Sequence, residues 1–311
     1  MTIACVFPGQ GSQAVGMLAA LASAYPEVEE TFAVASQALD YDLWRLTQQG
    51  PDTELNRTDK TQPAMLAAGV AVWRVWQRRH GIQPSFLAGH SLGEYTALVC
   101  AEAMDLQAAA RLVAERGRYM QEAVPAGRGA MAAILGLTDD QVRDACAQAA
   151  QGQVVAAVNF NSPGQVVIAG HGEAVARAVE IAKQSGAKRA VPLPVSVPSH
   201  CSLMEPAAKR LAMYLHDVEI NAPRIPVFSN VDVALCETPA AIRDALVRQL
   251  VSPVRWVEII QAMARNGVRR VVECGPGKVL AGLNKRIDRD MATLAVYDPA
   301  SLDEALTATA S

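Results

Sequence analysis

The chain has 311 residues, of which 51% are hydrophobic, so it can bury one large core or two linked ones and is neither disordered nor fibrous. Its 28 basic and 31 acidic residues leave a net charge of -3, which excludes an overall attraction to nucleic acid or to an anionic membrane. No apolar run approaches the roughly 18 residues that span a bilayer, and the N-terminus is not that of a secretory signal. The sequence therefore predicts a cytoplasmic protein without a membrane segment.

Six cysteines are scattered along the chain without a Cys-x-x-Cys pair. This spacing argues against a zinc site and against a disulfide framework. We expect reduced, mostly buried thiols and no metal site.

The first predicted strand, Ile3 to Phe7, stops at a glycine-rich turn. In an open α/β sheet such a turn presents backbone N–H groups to a ligand. Gly9-Gln10-Gly11 lacks the third glycine of a dinucleotide fingerprint, so spacing alone favours a plain connecting loop. Helices are then predicted at about residues 15–23, 27–39 and 62–80.

The pentapeptide Gly89-His90-Ser91-Leu92-Gly93 follows an apolar lead-in and precedes a helix-forming stretch. Strand, tight turn and helix are the context of a nucleophile elbow, in which the serine hydroxyl projects outward and the helix N-terminus favours developing negative charge. We predict that Ser91 attacks an acyl carbonyl. A plain strand-to-helix turn is the alternative.

A helix is predicted from about Leu106 to Ala123, with an apolar stripe on one side and a charged face on the other. Arg116 breaks the pattern, because it lies four residues from both Leu112 and Met120 and therefore on the apolar side of the helix. Its side chain thus begins on the buried side. An unpaired charge there is costly and must meet a carboxylate or reach a polar cavity. From the helix alone, an internal ion pair or a side chain that extends to the surface is favoured over a ligand site.

The stretch from Ala130 to Val195 is predicted as strand, helix, strand, strand, helix and strand, the order of a ferredoxin-like unit. Its first and last strands can pair antiparallel, which brings its ends together and suits insertion into a larger domain. The predicted fold class is α/β: a large α/β-hydrolase-like domain with a mostly parallel sheet, residues 1–125 and 198–311, plus an inserted ferredoxin-like small subdomain, residues 126–197.

A general base for Ser91 must come from one of five histidines. His200 stands where the chain re-enters the large domain, and clefts between domains are favoured binding sites. His90 would point away from Ser91 on a sharp turn, so we expect it to pack or to hold the elbow. The other three are more simply surface residues: His80, His171 and His216. His200 is thus the best candidate for the base.

Beyond His200 the chain continues to alternate, with predicted helices near residues 203–215, 239–250 and 255–266. An extended segment is predicted at 225–229 and a strand at Val268 to Cys274. Gly275-Pro276-Gly277-Lys278 does not have the spacing of a phosphate-binding P-loop and is interpreted as a tight turn into a last helix.

Eight segments, taken together and in order, resemble the malonyl-CoA:acyl-carrier-protein transacylases of bacterial fatty-acid synthesis. The resemblance spans nearly the full length at the family's spacing, which makes the set far more specific than any one motif. The segments are Phe7-Pro8-Gly9-Gln10-Gly11-Ser12-Gln13, Thr61-Gln62-Pro63-Ala64, Gly89-His90-Ser91-Leu92-Gly93-Glu94, Arg116-Gly117, Asn159-Phe160-Asn161-Ser162-Pro163, Ser199-His200, Gln249-Leu250 and Glu273-Cys274-Gly275-Pro276-Gly277.

The resemblance implies a role for each of several residues. Ser91 would be the nucleophile that takes malonyl from coenzyme A, and His200 the base. The backbone carbonyl of Gln249 would orient the histidine, so that the pair is a dyad and not a triad. The backbone N–H groups of Gln10 and Leu92 would hold the oxyanion, which reverses the interpretation of the first turn as a plain loop.

Arg116 would bind the malonyl carboxylate with two parallel hydrogen bonds and so select malonyl over acetyl. Further candidates for the pocket are Gln62, His90 and Ser199. The implied reaction is transfer of malonyl from malonyl-CoA to the phosphopantetheine thiol of acyl carrier protein, for fatty-acid elongation, through a malonyl-serine in a ping-pong cycle. The implied protein is a monomer with a coenzyme A thioester as substrate and no permanently bound cofactor.

Carrier proteins of this pathway are acidic, so a basic rim is expected near the cleft. Two basic pairs are candidates for it, with ordinary solvated surface as the alternative: Lys188 with Arg189, and Lys285 with Arg286.

Three other functions remain open. A serine thioesterase or other hydrolase would share Ser91 and His200 without needing Arg116. An acyltransferase of a polyketide or malonate-decarboxylase system would share all of these residues. A non-catalytic module would bind carrier protein without forming an acyl-enzyme.

Overall fold

The computed structural model describes residues 2–125, 127–195 and 197–310. Three ends of the predicted domains, Met1, Ala126 and Ser311, lie outside the described residues. The strands, in chain order, are β1 Thr2–Phe7, β2 Phe86–Gly89, β3 Gly129–Leu135, β4 Val155–Ser162, β5 Gln165–His171, β6 Arg189–Pro192, β7 Val227–Phe228, β8 Val268–Cys274 and β9 Ala292–Val296.

Helices connect almost all of these strands. In chain order they are α1 Ala19–Ala24, α2 Glu27–Leu39, α3 Leu43–Gln49, α4 Asp52–Leu55, α5 Thr58–Arg78, α6 Gly93–Cys100, α7 Leu106–Ala123, α8 Asp139–Ala150, α9 Gly172–Gln184, α10 Glu205–His216, α11 Pro239–Gln249, α12 Trp256–Arg265, α13 Val279–Ile287 and α14 Pro299–Ala310. A single 3-10 turn, Ser202–Met204, precedes α10.

The large sheet has the strand order β7-β2-β1-β8-β9, and the pairings between its described strands are parallel. Its central strand β1 is buried on both faces: Ile3, Cys5 and Phe7 face the core formed with α2, α5, α6 and α7, whereas Ala4 and Val6 face α12 and α13. Near-continuous apolar sequence is what a strand covered on both sides requires. Since β1 and β2 are parallel and adjacent, the turns that follow them meet at one edge of the sheet.

The small sheet has the strand order β4-β5-β3-β6 with antiparallel pairing throughout its described strands. Helices α8 and α9 cover one face. The first and last strands of the unit, β3 and β6, pair antiparallel as predicted, and the α/β fold class with a ferredoxin-like unit is confirmed. The last strand stops at Pro192 and not at Val195, so residues 193–195 are free to line the space beside the sheet. The exact domain boundaries stay a prediction.

The small sheet is joined to the large part of the chain by main-chain hydrogen bonds at Val254. Phe160 N donates to Val254 O over 3.0 Å, and Val254 N donates to Val158 O over 2.9 Å. This bridge runs beside Asn159 in the middle of β4. The edge strand β4 of the small sheet is thereby held against the rest of the molecule.

Several elements differ from the sequence prediction. The prediction of one last helix after Lys278 is wrong, because β9 pairs parallel with β8 and α14 follows it. Helix α5 begins at Thr58, four residues earlier than predicted, and Asp59 lies in its first turn, where an acidic side chain complements the helix dipole. The short helices α3 and α4 were not predicted, because too few residues carry a periodic signal.

All six cysteines are free and buried, as predicted. In the described part of the chain, no helix is both long and apolar enough to cross a membrane. Among the same residues, no group of three or more His, Cys, Asp or Glu side chains is arranged to hold a metal ion.

Candidate active site

Ser91 lies at a sharp turn between β2 and α6. Its φ of 52° is in the left-handed region, which a non-glycine residue adopts at a cost. Gly89 and Gly93 make the turn possible, because a Cβ on Gly89 would lie 1.8 Å from the carbonyl carbon of Gly93 and one on Gly93 would lie 2.1 Å from the Phe7 oxygen. The sequence thus forms a strained strand-to-helix turn that projects the Ser91 hydroxyl at the carboxyl edge of the large sheet.

The hydroxyl of Ser91 lies 2.8 Å from Nε2 of His200. The opposite ring nitrogen, Nδ1, lies 2.7 Å from the backbone oxygen of Gln249. A carbonyl oxygen can only accept, so Nδ1 carries the proton and Nε2 is the acceptor for the serine. The segment that follows the small sheet therefore brings His200 onto Ser91, although the two are 109 residues apart in the chain.

His200 is buried, with 4% of its surface exposed. Burial is the main cause that lowers its pKa to about 3, and the nearby charge of Arg116 acts in the same direction, whereas the hydrogen bond to Gln249 opposes both. The imidazole is therefore neutral at physiological pH. A neutral ring with a free Nε2 lone pair is the form that can accept a proton from a hydroxyl.

Arg116 is 1% exposed, and its guanidinium lies near the hydroxyl oxygen of Ser91. Its Nη2 lies 3.4 Å from Ser91 Oγ and donates to Gln249 Oε1 over 3.0 Å, while Nη1 donates to Gln62 Oε1 over 2.8 Å. Among the described ion pairs none includes Arg116, so the internal ion pair that the helix pattern favoured is not what the structure has. Burial lowers the pKa of Arg116 from its usual range. A buried cation with neutral acceptors favours an anionic ligand beside Ser91.

These residues face a cleft of about 240 Å³ between the two sheets. Of the predicted site residues, Gln10, Ser91, Leu92, Arg116, His200, His90 and Ser199 line it. Gln62 does not line the cleft and lies behind the guanidinium of Arg116 instead. The side chain of Gln10 is exposed. The oxyanion roles of the N–H groups of Gln10 and Leu92 stay predictions.

His90 lines the cleft and contacts the small sheet. Its Nε2 lies 2.8 Å from Asn161 Oδ1, and its ring packs 5.6 Å from the ring of Trp256. The two basic pairs proposed for docking are exposed, on β6 and its preceding turn and on α13. Helix α13 also contributes Leu280 and Leu283 to the cleft.

Sequence reasoning missed two residues that hold the site. Asn230 clamps the elbow: its Oδ1 accepts from Ser91 N over 2.7 Å and its Nδ2 donates to Gly89 O over 2.7 Å. Glu94 is 2% exposed and accepts from Gln249 Nε2 over 2.6 Å. A carboxylate next to a GxSxG turn inside an otherwise apolar helix was the signal that could have identified Glu94.

Comparison with known proteins places the chain in a family. The family model described as "Acyl transferase domain" matches residues 4–297. The malonyl CoA-acyl carrier protein transacylase of Escherichia coli K12 is 62% identical over 304 residues, covering 97% of this chain and 98% of that protein. The crystal structure of an acyl carrier protein S-malonyltransferase from Vibrio cholerae has a TM-score of 0.96 at 60% identity, covering 98% of this chain and 99% of that one.

A second similar structure is that of a type II PKS acyl-carrier protein in complex with its malonyl-transacylase, with a TM-score of 0.98 at 58% identity, covering 99% of this chain and 100% of that chain. The family model, the sequence relative and the two structures all match this chain over nearly its full length. The chain therefore belongs to the acyltransferase family of malonyl CoA-acyl carrier protein transacylases.

Proposed function

We propose that the protein transfers the malonyl group of malonyl-CoA to the phosphopantetheine thiol of an acyl carrier protein through a malonyl ester on Ser91. The observation that carries this proposal is the buried guanidinium of Arg116, 3.4 Å from Ser91 Oγ and held by neutral amide oxygens. An acyl group that ends in a carboxylate would supply the missing negative charge. A hydrolase of neutral esters has no use for such a cation.

The first half of the reaction uses the neutral His200. Its Nε2 removes the proton of Ser91 Oγ as that oxygen attacks the thioester carbonyl. The negative oxygen that forms would be stabilised by the backbone N–H groups of Gln10 and Leu92. When the intermediate collapses, the C–S bond breaks, the thiolate of coenzyme A takes the proton from Nε2, and malonyl-Ser91 remains.

The second half reverses these steps with a different thiol. The phosphopantetheine thiol gives its proton to Nε2 of His200 and attacks the ester carbonyl. Collapse returns the proton to Ser91 Oγ and releases malonyl-carrier protein. Throughout the cycle the Gln249 carbonyl holds Nδ1–H, so the ring keeps its orientation while its charge changes.

Arg116 would select the acyl group. Two N–H groups of a guanidinium match the two oxygens of a carboxylate, and the low dielectric of the buried site strengthens the pair. Acetyl would leave the guanidinium without a carboxylate in direct contact. We further propose that the transfer takes place in the cytoplasm, supplies fatty-acid elongation and uses no bound cofactor or metal.

Acyl carrier protein is proposed as the partner because the named relatives act with it. Their names include acyl carrier protein, and one similar structure is a complex with a type II PKS carrier. That complex also keeps polyketide synthesis as the second candidate for the product's use. Comparing transfer rates to fatty-acid and polyketide carriers distinguishes the two.

Intact mass after mixing with malonyl-CoA tests the covalent step. We expect one malonyl adduct on the unmutated chain and none on Ser91→Ala. The adduct is also expected to form poorly on Arg116→Ala, by about tenfold or more, while acetyl loading from acetyl-CoA rises. Arg116→Lys keeps the charge but not the fork, and we expect it to restore malonyl loading only in part.

An unmutated chain that forms no adduct would rule out the covalent mechanism. Persistence of the malonyl preference in Arg116→Ala would remove Arg116 from its role. Free malonate in excess of malonyl-carrier product would identify a hydrolase.

A further inference from the structure

Glu94 is a buried carboxylate that the proposed chemistry does not use. It lies in the first turn of α6, three residues after Ser91, with 2% of its surface exposed. Among the described ion pairs none includes it. Its Oε2 accepts two hydrogen bonds, from Gln249 Nε2 over 2.6 Å and from Asn230 N over 3.2 Å. Burying a carboxylate without an ion pair costs free energy, so its hydrogen bonds must replace the lost hydration.

The side-chain amide of Gln249 is bound at both ends. Its Nε2 donates to Glu94 and also to Ser91 O over 3.0 Å, while its Oε1 accepts from Arg116 Nη2 over 3.0 Å. The two ends of an amide have nearly the same shape and differ in that one donates and the other accepts. Burial raises the pKa of Glu94 to about 7, but the oxygen that faces the amide, Oε2, accepts from Asn230 N as well as from Gln249 Nε2, so Glu94 holds the NH₂ end on its own side. The oxygen end is thereby directed to Arg116.

The opposite orientation of this amide would place two N–H donors against the N–H donors of Arg116. The guanidinium would then lose one of its two amide acceptors and keep only Gln62 Oε1. Since Nη2 also reaches towards Ser91 Oγ, a change in its partner moves the group that would meet the malonyl carboxylate. The orientation of the Gln249 amide thus determines the position of the Arg116 guanidinium.

A second branch leads from Glu94 to the elbow. Glu94 accepts from the backbone of Asn230, and the side chain of Asn230 binds Gly89 O and Ser91 N, each over 2.7 Å. This branch acts on Ser91 and therefore on every acyl group alike. Only the branch through Gln249 and Arg116 distinguishes acidic from neutral acyl groups.

We propose that Glu94 is a positioning residue for acyl selectivity, which acts by fixing the amide of Gln249 so that its oxygen faces Arg116. The proposal rests on the proposed function, in which Arg116 binds the malonyl carboxylate. It identifies Glu94 as a determinant of the preference for acyl groups that end in a carboxylate. The readout is the ratio of malonyl to acetyl loading, because a merely structural role would lower both rates together.

The test measures loading rates from malonyl-CoA and from acetyl-CoA by rapid quench and intact mass, on the full chain. In Glu94→Gln the new amide can accept or donate, so only the backbone oxygen of Ser91 still requires the NH₂ end of Gln249, and the preference for one orientation is weaker. We expect the malonyl-to-acetyl ratio to fall about tenfold. Gln249→Met removes the amide, and we expect a fall at least as large.

The double variant tests whether Glu94 acts through Gln249. If it does, adding Glu94→Gln to Gln249→Met lowers the ratio no further, whereas independent effects would multiply. The matched control is Glu273→Gln, which alters the other buried, hydrogen-bonded carboxylate, whose oxygens accept from the N–H groups of Leu280 and Ala281 in α13. Its malonyl-to-acetyl ratio is expected to stay within about twofold of the unmutated value.

A ratio that is unchanged in Glu94→Gln, or falls that multiply in the double variant, would overturn the proposal. Should Glu94→Gln fail to fold, an unchanged ratio in Gln249→Met would overturn it equally, and a lowered ratio would support it. Absence of a Ser91-dependent malonyl adduct on the unmutated chain is a different result. It would overturn the proposed function itself, and this proposal with it.

Discussion

The two nitrogens of His200 have separate partners, a backbone oxygen and a serine hydroxyl. A backbone carbonyl cannot be protonated and carries no net charge, unlike the carboxylate of a triad. The imidazolium that would form in the proposed reaction is therefore stabilised less, and burial depresses the pKa of His200 further. The site favours a base that passes its proton on quickly to the departing thiolate or alkoxide.

The low pKa of His200 has a consequence for stability. An unfolded chain takes up a proton at this histidine below its ordinary pKa of 6.5, whereas the folded chain does so only near a pKa of about 3. Acidification from pH 7 to pH 5 therefore removes about 2 kcal/mol of folding free energy through this one residue. Stability is retained above pH 6.5 and lost as the pH falls below it.

Replacing His200 by asparagine, which does not titrate, removes this contribution. Between pH 7 and pH 5, we expect the free energy of unfolding of His200→Asn to fall by about 2 kcal/mol less than that of the unmutated chain. Urea denaturation at the two pH values measures the difference. Equal losses in both proteins would show that the histidine is not held neutral in the folded state.

At the level of elements, the contact between α5 and α7 determines where Arg116 stands. Gly117 follows Arg116, and a Cβ on it would lie 2.6 Å from the backbone oxygen of Thr58 and 2.7 Å from Cα of Asp59. The close approach of the two helices brings Gln62 of α5 within 2.8 Å of the guanidinium. A side chain at residue 117 would push the helices apart at the point where the cation is bound.

We therefore expect Gly117→Ala to destabilise the fold by about 1–3 kcal/mol and to weaken malonyl loading more than acetyl loading. Gly282→Ala is the matched control, because Gly282 is also within a helix but has open space where its Cβ would lie. It should leave stability unchanged or raise it by up to about 1 kcal/mol. Equal denaturation midpoints and equal ratios of malonyl to acetyl loading in the two variants would contradict this expectation.

For the whole molecule, the cleft depends on two sheets being held together. The uncovered face of the small sheet forms an apolar cluster with Cys201 of the neighbouring segment; its members are Met131, Val158, Val167, Ala169 and Cys201. Apolar side chains line much of the cleft, which would favour transfer to a thiol over hydrolysis of the proposed ester.

Because the small sheet packs on Cys201 through this cluster and is hydrogen-bonded to the rest of the chain at Val254, we expect the intact chain to unfold in one cooperative transition. Scanning calorimetry checks this through the agreement of the calorimetric and van't Hoff enthalpies. Val158→Ala, at a fully buried position of the cluster, should lower the midpoint of that single transition, at a cost of about 1–3 kcal/mol. Two separate transitions in the unmutated chain would show that the small sheet unfolds independently of the rest of the molecule.

The local sequence determined those features whose physical cause is local. A near-continuous apolar run specified β1, the order of short apolar segments specified the ferredoxin-like unit, the glycines around Ser91 specified the elbow, and helical periodicity put Arg116 on a buried face. The long, periodic helix α7 was predicted with its bounds, since its pattern and the Asp105 cap lie within one stretch of chain.

Only the tertiary structure decided what Arg116 meets and which side chains surround it. The helix pattern favoured an ion pair or a side chain that extends to the surface, yet the folded chain supplies the neutral oxygens of Gln62 and Gln249, which lie 54 and 133 residues away in the sequence. In the same way Glu94 gained its role from Gln249, and β9 became a strand by pairing with β8. Such contacts between distant residues leave no periodic trace in the sequence, because their partners are chosen by packing and by the pairing of donors with acceptors.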